Sequence, residues 1–389
     1  MQLPSRRRSS RLVPVLAVMA LGALVLTGCL SSPGDVSQIE LVSSTTVNGW
    51  HYDFYRNRAY PCAISGYQTF AIGTKVGSDT AATAPLWVKM HGGGVGWFDA
   101  AGNPQPTSGQ KTEEGQAKLV GYVDAGLTTS IMNDPAGFRV LVVSMCSHDL
   151  YAGDDTPDPN NPHTEPDGTP VTTNGLYATK AAVAFTLDHY PTDDYFLHGT
   201  SAGGAGTWHV AWSLQQQGIP PTGLVSDSGV MNQAWEHAQN AQSGPCARGE
   251  DNGALILDRM APDIANPANQ PDLLVRSGRL KVPVMNVWNI GDKNTCGDTP
   301  MECPLPDGST ATMWSSMCEH EPMRLAVASL GANSRSKNLG VCVDDPNTVA
   351  ACDVHVVTSK PNVVNTQPGI PAHFLPVIVD WVHARMADD

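Results

Sequence analysis

Charged residues are scarce in this 389-residue sequence, and the positive ones are clearly outnumbered. Charged side chains make up 15% of the chain, with 23 lysines and arginines against 37 aspartates and glutamates, a formal net charge of −14. This acidic balance argues against a nucleic-acid partner, because no basic face is available to displace counterions from phosphates. The 37 glycines and 30 prolines stay below the share typical of low-complexity chains. The sequence therefore indicates a globular, loop-rich protein.

The apolar run near the start is short for a membrane-spanning helix. Residues 12–27 form an almost wholly apolar run of about 16 residues, whereas a transmembrane helix needs roughly 20. Four arginines precede the run, which is the pattern of an export signal. A retained transmembrane helix is the weaker alternative.

The end of the apolar run, Leu26-Thr27-Gly28-Cys29, resembles a bacterial lipobox, which implies that Cys29 is lipidated after cleavage. We expect residues 1–28 to be a lipoprotein signal peptide, 29–48 a lipidated N-terminus and flexible tether, and 49–389 one folded domain. The expected location is exported, lipid-anchored to the bacterial cell envelope. An ordinary signal peptide is the alternative.

Paired C-x-x-C motifs are absent, which argues against a zinc site. Nine cysteines are present, and the eight that remain without Cys29 are an even number, which in an exported chain predicts disulfides. The connectivity does not follow from sequence, but Cys296 with Cys303 and Cys342 with Cys352 would close short loops. A bond between Cys296 and Cys303 would also brace the loop that contains Asp292. We predict neither a metal nor a cofactor.

Short β-rich apolar runs alternate with helical patterns after residue 49, which predicts a largely parallel sheet covered on both faces. The predicted strands are residues 86–90, 139–145, 195–198, 224–226, 282–290 and 353–358, and the predicted helices are 175–189, 203–217 and 374–386.

Residues 153–172 are rich in Asp, Asn and Pro and are predicted to form a surface excursion. Asp154, Asp155, Asp158 and Asp167 could gather a calcium ion, but their spacing matches no calcium loop. A solvated acidic loop is the preferred reading, and calcium binding remains open.

A G-x-S-x-G motif, Gly199-Thr200-Ser201-Ala202-Gly203, follows a predicted strand and opens a predicted helix. That context suits a nucleophile, because a sharp strand-to-helix turn exposes the serine hydroxyl to a base. The amide of Ala202, at the helix N-terminus, can stabilise developing negative charge. Ser201 is therefore the candidate nucleophile.

Three consecutive glycines follow the predicted strand 86–90, in His91-Gly92-Gly93-Gly94. Their backbone amides are unshielded by side chains, so such a loop can supply the other half of an oxyanion hole. Gly93 and Gly94 are the predicted donors. The two motifs occur in the order that an α/β-hydrolase fold requires, and we predict that fold: a mostly parallel central sheet with helices on both faces and disulfides.

The α/β-hydrolase fold places its acid and then its histidine after the nucleophile. Asp292 ends a predicted strand and is the preferred acid, with Asp227 as the second choice. His373 is the preferred base because it precedes the final helix and could fold back over Ser201. His355 and His320 are less favoured, since His355 falls within a predicted strand.

The same residues resemble the pectin acetylesterase and Notum group of extracellular carboxylesterases. The likeness is carried by the segments 90–98, 146–154 and 199–204 and by Asp227-Ser228-Gly229, and it thins after residue 230. One departure is Val95-Gly96, inserted before Trp97. The resemblance implies removal of an acyl group, often acetyl, from a carbohydrate or a lipidated protein.

Motifs and resemblance together predict an exported serine carboxylesterase that cleaves a short-chain, acetyl-like ester, such as one on an acylated carbohydrate, through an acyl-enzyme. The predicted site is Ser201, His373 and Asp292, with Gly93, Gly94 and Ala202 as oxyanion donors. The alternatives are a lipase, a polyester depolymerase or a peptidase on the same fold, and a non-catalytic surface binding protein.

Overall fold

A mixed β-sheet of nine strands runs through the part of the chain that the structure describes. The structure is a computed structural model that describes residues 33–104, 111–123, 126–233, 256–292, 300–305, 307–341, 354–360 and 373–387. The predicted signal peptide and Cys29 lie outside these residues.

The strands in chain order are β1 (Ile39–Val47), β2 (Trp50–Pro61), β3 (Tyr67–Lys75), β4 (Leu86–Met90), β5 (Arg139–Val143), β6 (Thr156–Pro157), β7 (Thr172–Thr173), β8 (Tyr195–Thr200), β9 (Gly223–Asp227), β10 (Val284–Asn289), β11 (Pro300–Pro304), β12 (Thr310–Trp314) and β13 (Lys337–Val341). The helices are α1 (Gln116–Gly121), α2 (Gly126–Met132), α3 (Gly175–His189), α4 (Ala202–Gln216), α5 (Pro262–Ala265), α6 (Pro271–Arg276), α7 (Ser315–Ser329) and α8 (Phe374–Met386), with 3-10 turns at Pro267–Asn269 and Val357–Ser359.

The sheet order is β1-β2-β3-β5-β4-β8-β9-β10-β13. Neighbours from β5 to β13 are parallel, whereas β1, β2 and β3 join antiparallel. The central strands β4, β5, β8, β9 and β10 are buried along their whole length. Continuous burial is expected for parallel strands covered on both faces.

Two apolar cores lie on opposite faces of this sheet. One contains buried side chains of α3, α4, α5, α6 and α7, and the other contains those of α1, α2 and α8. The predicted parallel sheet with helices on both faces is therefore confirmed. The predicted helices 175–189, 203–217 and 374–386 correspond to α3, α4 and α8.

The start of the chain differs from the prediction. Residues 39–47, expected within the flexible tether, form the edge strand β1, which pairs with β2 from Ile39↔Asn57 to Val47↔Trp50. The strand was missed because most of its side chains are exposed and its apolar residues Ile39, Leu41, Val42 and Val47 do not alternate regularly with polar ones.

The predicted last strand is also wrong. Among the described residues the last strand is β13, and residues 354–360 contain a 3-10 turn instead. Val356 has φ 60°, and the amides of Val357 and Thr358 donate to the Asp227 carboxylate rather than to a strand. The β-branched residues of this segment favour a strand, but hydrogen bonds to the buried Asp227 carboxylate hold it in a turn.

Two disulfides link described residues, Cys62–Cys146 and Cys303–Cys318. Because Cys303 bonds Cys318, the expected Cys296–Cys303 bond is wrong, and so is its proposed role beside Asp292. The Cys303–Cys318 bond instead ties β11 to α7. Cys296, Cys342 and Cys352 lie outside the described residues. Within the described ranges, no helix combines the length and apolarity that crossing a bilayer requires.

Candidate active site

Ser201 occupies a sharp turn between β8 and α4. Its backbone has φ 55° and ψ −123°, a conformation that a residue with a Cβ rarely adopts. Such strain persists only when the surroundings enforce it. The Ser201 amide donates to the Asp227 carbonyl oxygen at 2.8 Å, which fixes the turn to the end of β9. The structure thus gives Ser201 the geometry of a nucleophile elbow.

The glycines around Ser201 are required by close packing. A Cβ on Gly199 would overlap the Gly203 carbonyl oxygen, and a Cβ on Gly203 would overlap that of Met90. A Cβ on Gly92 would lie 2.8 Å from the Cβ of Ser201. The first glycine of the glycine triplet therefore lies directly against the candidate nucleophile.

The structure describes the backbone at the predicted oxyanion donors. Ala202 begins the 15-residue helix α4, so its amide is at the positive end of the helix dipole. Gly94 has φ 71°, a left-handed conformation that glycine adopts without penalty. The roles of Gly93, Gly94 and Ala202 as donors stay predictions.

Contacts with buried neighbours fix His91, the residue that precedes the glycine triplet. Its Nε2 lies 2.7 Å from Glu114 Oε2, its ring stacks on Tyr122 with centroids 4.1 Å apart, and the Tyr151 hydroxyl donates to its carbonyl at 3.0 Å. Burial alone would raise the pKa of Glu114, but the bonds and charges of His91 and Lys118 outweigh it and lower the pKa to about 2. His91 is thus a structural residue.

Arg259 holds the other end of the loop. This buried guanidinium donates to the carbonyl oxygens of Gly96, His148 (2.9 Å) and Ser147 (2.6 Å), and it forms an ion pair with buried Asp158 at 2.8 Å. The inserted Val95-Gly96 segment is therefore anchored rather than loose. No sequence signal pointed to Arg259.

This ion pair also bears on the acidic segment 153–172. Asp158 faces Arg259, while Asp154 and Asp167 accept bonds from Thr156 and Thr169. Across the described ranges, no group of three or more His, Cys, Asp or Glu side chains is arranged to hold a metal ion.

Asp292 follows β10, as expected, and its side chain is buried. Its Oδ2 lies 2.6 Å from His355 Nδ1. Because a carboxylate can only accept, Nδ1 carries the proton and Nε2 is left free to act as a base. The histidine that faces Asp292 is thus His355, which the sequence analysis had not favoured.

His373 is exposed at the start of α8. The reason for the difference is the wrong last strand: with β13 in that place, residues 354–360 turn back over the ends of β9 and β10. Val356 donates to Ser228 Oγ at 3.2 Å, next to the Asp227 carbonyl that receives the Ser201 amide. His355 therefore precedes a segment fixed beside the elbow.

His320 is a neighbour of this pair. Its ring stacks on Trp288 with centroids 4.9 Å apart, and burial, followed by the charge of His355, lowers its pKa to about 3. A buried neutral imidazole in a stack is a packing group.

Asp227, the second choice for the acid, accepts from the amides of Val357 and Thr358 and from the hydroxyls of Ser228 and Thr358. Its carboxylate thus faces the segment after His355 rather than an imidazole. The Asp227-Ser228-Gly229 motif was noted in the sequence, but its local pattern does not reveal this distant partner.

No model of a protein family matches this chain, and no curated protein does. Solved structures do match. The chain is similar to the Wnt deacylase Notum from Drosophila, with 15% identity, a TM-score of 0.50, and coverage of 90% of this chain and 95% of that one. A putative acetyl xylan esterase from Bacteroides fragilis matches with 11% identity, a TM-score of 0.44 and coverage of 92% and 84%.

An S-formylglutathione hydrolase from Agrobacterium tumefaciens matches with 12% identity, a TM-score of 0.39 and coverage of 65% and 80%. At these identities the likeness concerns the fold. The sheet order, the two helical layers and the strained serine turn agree with it, and we conclude that this chain has the α/β-hydrolase fold.

Proposed function

We propose that this protein is a serine carboxylesterase that uses Ser201, His355 and Asp292. The observation that carries the proposal is the hydrogen bond between His355 and Asp292 in a segment that is fixed beside the strained Ser201 turn. A nucleophile, a base and an orienting acid are the parts that acyl transfer needs.

In the first step, Ser201 Oγ attacks the ester carbonyl carbon while His355 Nε2 takes the hydroxyl proton. The carbonyl π-bond electrons move to its oxygen, and the resulting oxyanion is held by the amides of Ala202, Gly93 and Gly94. Removal of one such donor costs about 3 kcal/mol of transition-state stabilisation in comparable sites. Asp292 stabilises the imidazolium that forms.

In the second step, the oxyanion collapses, the alkoxide leaving group takes the proton from His355, and Ser201 keeps the acyl group. Water then attacks the acyl-enzyme while His355 Nε2 takes its proton. Collapse of the second oxyanion returns that proton to Ser201 and releases the carboxylic acid, which then loses its proton to water.

The substrate class follows from the resemblance to the pectin acetylesterase and Notum group. We propose a short acyl group, acetyl in kind, on a carbohydrate. The Notum structure to which this chain is similar is a Wnt deacylase, so removal of a longer acyl chain is an outcome that the experiment must distinguish.

The proposed location is outside the cytoplasm, anchored through lipid on Cys29. The two disulfides support export, because disulfides persist in oxidising compartments. Labelling cells with a radioactive fatty acid tests the anchor: the wild type should incorporate it, and Cys29→Ala should not.

The test of the function is hydrolysis of nitrophenyl esters with acyl chains of about two to twelve carbons, with Ser201→Ala as the control. Activity that is confined to short chains and is lost in Ser201→Ala supports the proposal. A preference for long chains would indicate a lipase or a delipidating enzyme. Full activity in Ser201→Ala would refute the mechanism.

The base is tested by His355→Ala beside His373→Ala. Loss of the base should lower kcat by about 10⁴-fold or more, whereas His373→Ala should leave kcat near the wild-type value because that side chain is exposed. The reverse ranking would restore His373 as the base.

A further inference from the structure

A buried polar cluster lies beneath the Ser201 turn and has no role in the proposed chemistry. It contains Asp227, Thr358, His198, Lys89 and Thr200, each at most 5% exposed. Burying so many polar groups costs free energy unless each finds a partner. The cluster therefore calls for an explanation beyond packing.

Asp227 is the centre of this cluster. Its Oδ1 accepts from the Ser228 hydroxyl (2.8 Å) and the Val357 amide (3.1 Å), and its Oδ2 accepts from the Thr358 amide (2.7 Å) and hydroxyl (2.6 Å). These four bonds fill the acceptor positions of a carboxylate. The Ser228 hydroxyl, which donates to Asp227, in turn accepts a hydrogen bond from the Val356 amide. The three backbone amides that follow His355 are therefore all bound, either directly to Asp227 or through Ser228.

Val356 shows why this fixation is needed. Its φ of 60° and ψ of 72° are left-handed, a conformation that costs a β-branched residue free energy. The hydrogen bonds donated by the amides of Val356, Val357 and Thr358 hold the backbone in this conformation. Val356 directly follows His355. Without these hydrogen bonds the segment would relax, and the imidazole would move with it.

Asp227 also contacts the turn that contains Ser201. The Asp227 carbonyl oxygen accepts the Ser201 amide at 2.8 Å. Asp227 therefore touches, through its main chain and its side chain, both segments whose relative placement the reaction requires.

Lys89 supplies a compensating charge. It is buried on β4, its Nζ lies 3.4 Å from Thr200 Oγ1, and its charge favours the ionised form of Asp227. Burial lowers the pKa of Lys89 to about 7, against the opposing effect of Asp227. His198 completes the cluster: its Nε2 donates to Thr358 Oγ1 at 3.0 Å, and Thr128 donates to its Nδ1 at 3.3 Å.

We propose that Asp227 is a positioning residue that holds the left-handed turn at Val356 and thereby aims His355 at Ser201, with Thr358 as its main partner. The inference rests on the proposed function for its kinetic test.

The first test compares the full chain with Asp227→Asn in ester hydrolysis and in labelling of Ser201 by a fluorophosphonate. The NH2 group of an asparagine at this position would be a donor facing the donors that now bind one oxygen of Asp227. The hydrogen bonds to that oxygen, which hold the Val356 turn, would therefore be lost. We expect kcat and the labelling rate to fall about 100-fold with little change in KM, because displacement of about 1 Å can cost that much. A folded variant within threefold of the wild type would overturn the proposal.

A second pair of variants, at Thr358, tests the proposal even if Asp227→Asn fails to fold. Thr358→Val removes only the hydroxyl bonds and should lower kcat about tenfold, whereas Thr358→Ser keeps them and should restore it. Equal kcat in the two variants would contradict the positioning role.

A third readout does not depend on turnover. The Nδ1 proton of His355, identified by its loss in His355→Gln, should exchange with solvent faster in Asp227→Asn than in the wild type. If this proton stays protected, Asp227 does not position His355. If exchange accelerates while neither protein hydrolyses esters or labels at Ser201, the positioning holds and the proposed function fails instead.

Discussion

Buried charged side chains hold the candidate site in place, and Glu114 shows how. Its carboxylate contacts His91 at 2.7 Å and Lys118 at 2.7 Å and accepts the Met145 amide at 3.1 Å. These bonds connect the glycine triplet to the end of β5. Because they favour the ionised form, Glu114 connects the stability of the fold to pH.

Glu114→Gln should therefore be most harmful at neutral pH. The pKa of Glu114 is lowered to about 2, so its contribution is fully present above its ordinary value of about 4.5 and is lost as the pH falls toward 2. The shift corresponds to a difference on the order of 3 kcal/mol in the free energy of unfolding at pH 7. Urea denaturation of both proteins at pH 7 and near pH 3 measures it.

Glu113→Gln is the matched control, because that neighbouring carboxylate is partly exposed and pairs with Arg56. Its effect should be smaller, as for other exposed ion pairs. A difference between wild type and Glu114→Gln that stays constant from pH 7 to pH 3 would contradict this account.

The segment from His91 to Phe98 depends on elements far away in the sequence. Arg259 binds the Gly96 carbonyl and pairs with Asp158, so three distant parts of the chain meet at one guanidinium. Buried pairs of this kind lose most when one partner is removed, because the other charge is left without compensation.

Arg259→Ala should lower the free energy of unfolding by about 3–5 kcal/mol. The double variant Arg259→Met with Asp158→Leu should lose less, because it leaves no buried charge. Arg279→Ala, at an exposed arginine of the same region, is the control. Equal losses in the single and double variants, measured by urea denaturation, would show that the charge pairing is not the cause.

Local sequence patterns predicted the central elements well. The strands β4, β5, β8, β9 and β10 are fully buried and rich in apolar residues, and α4 follows a glycine motif that close local packing requires. The strands β1, β2, β3 and β13 were not predicted. The exposed side chains of β1 and of the start of β13 weaken the local signal, whereas β2 and β3 are largely buried and were missed although their burial leaves such a signal. Local patterns report burial, so they are weakest for the edge strand β1.

The site was only partly predictable for a related reason. Ser201 sits in a local motif and Asp292 follows a buried strand, so the sequence alone made both of them candidates. His355 could not be, because its position depends on bonds from residues 357 and 358 to Asp227, about 130 positions away in sequence. Contacts between distant segments leave no periodic signal.

The two apolar cores and the sheet between them enforce the backbone of Ser201. A conformation such as φ 55° costs a residue with a Cβ about 1–3 kcal/mol. Ser201→Gly should therefore raise the free energy of unfolding by about 1 kcal/mol relative to Ser201→Ala, after allowing for the larger entropy of an unfolded glycine. Thermal unfolding of the two variants measures this, and equal melting temperatures would show that the turn is unstrained.

The strained serine turn also has a meaning for descent. Under the proposed function, a relative released from catalysis would become more stable by exchanging this serine for glycine. Glycine at this position in a related chain would thus mark a protein kept for recognition rather than for turnover.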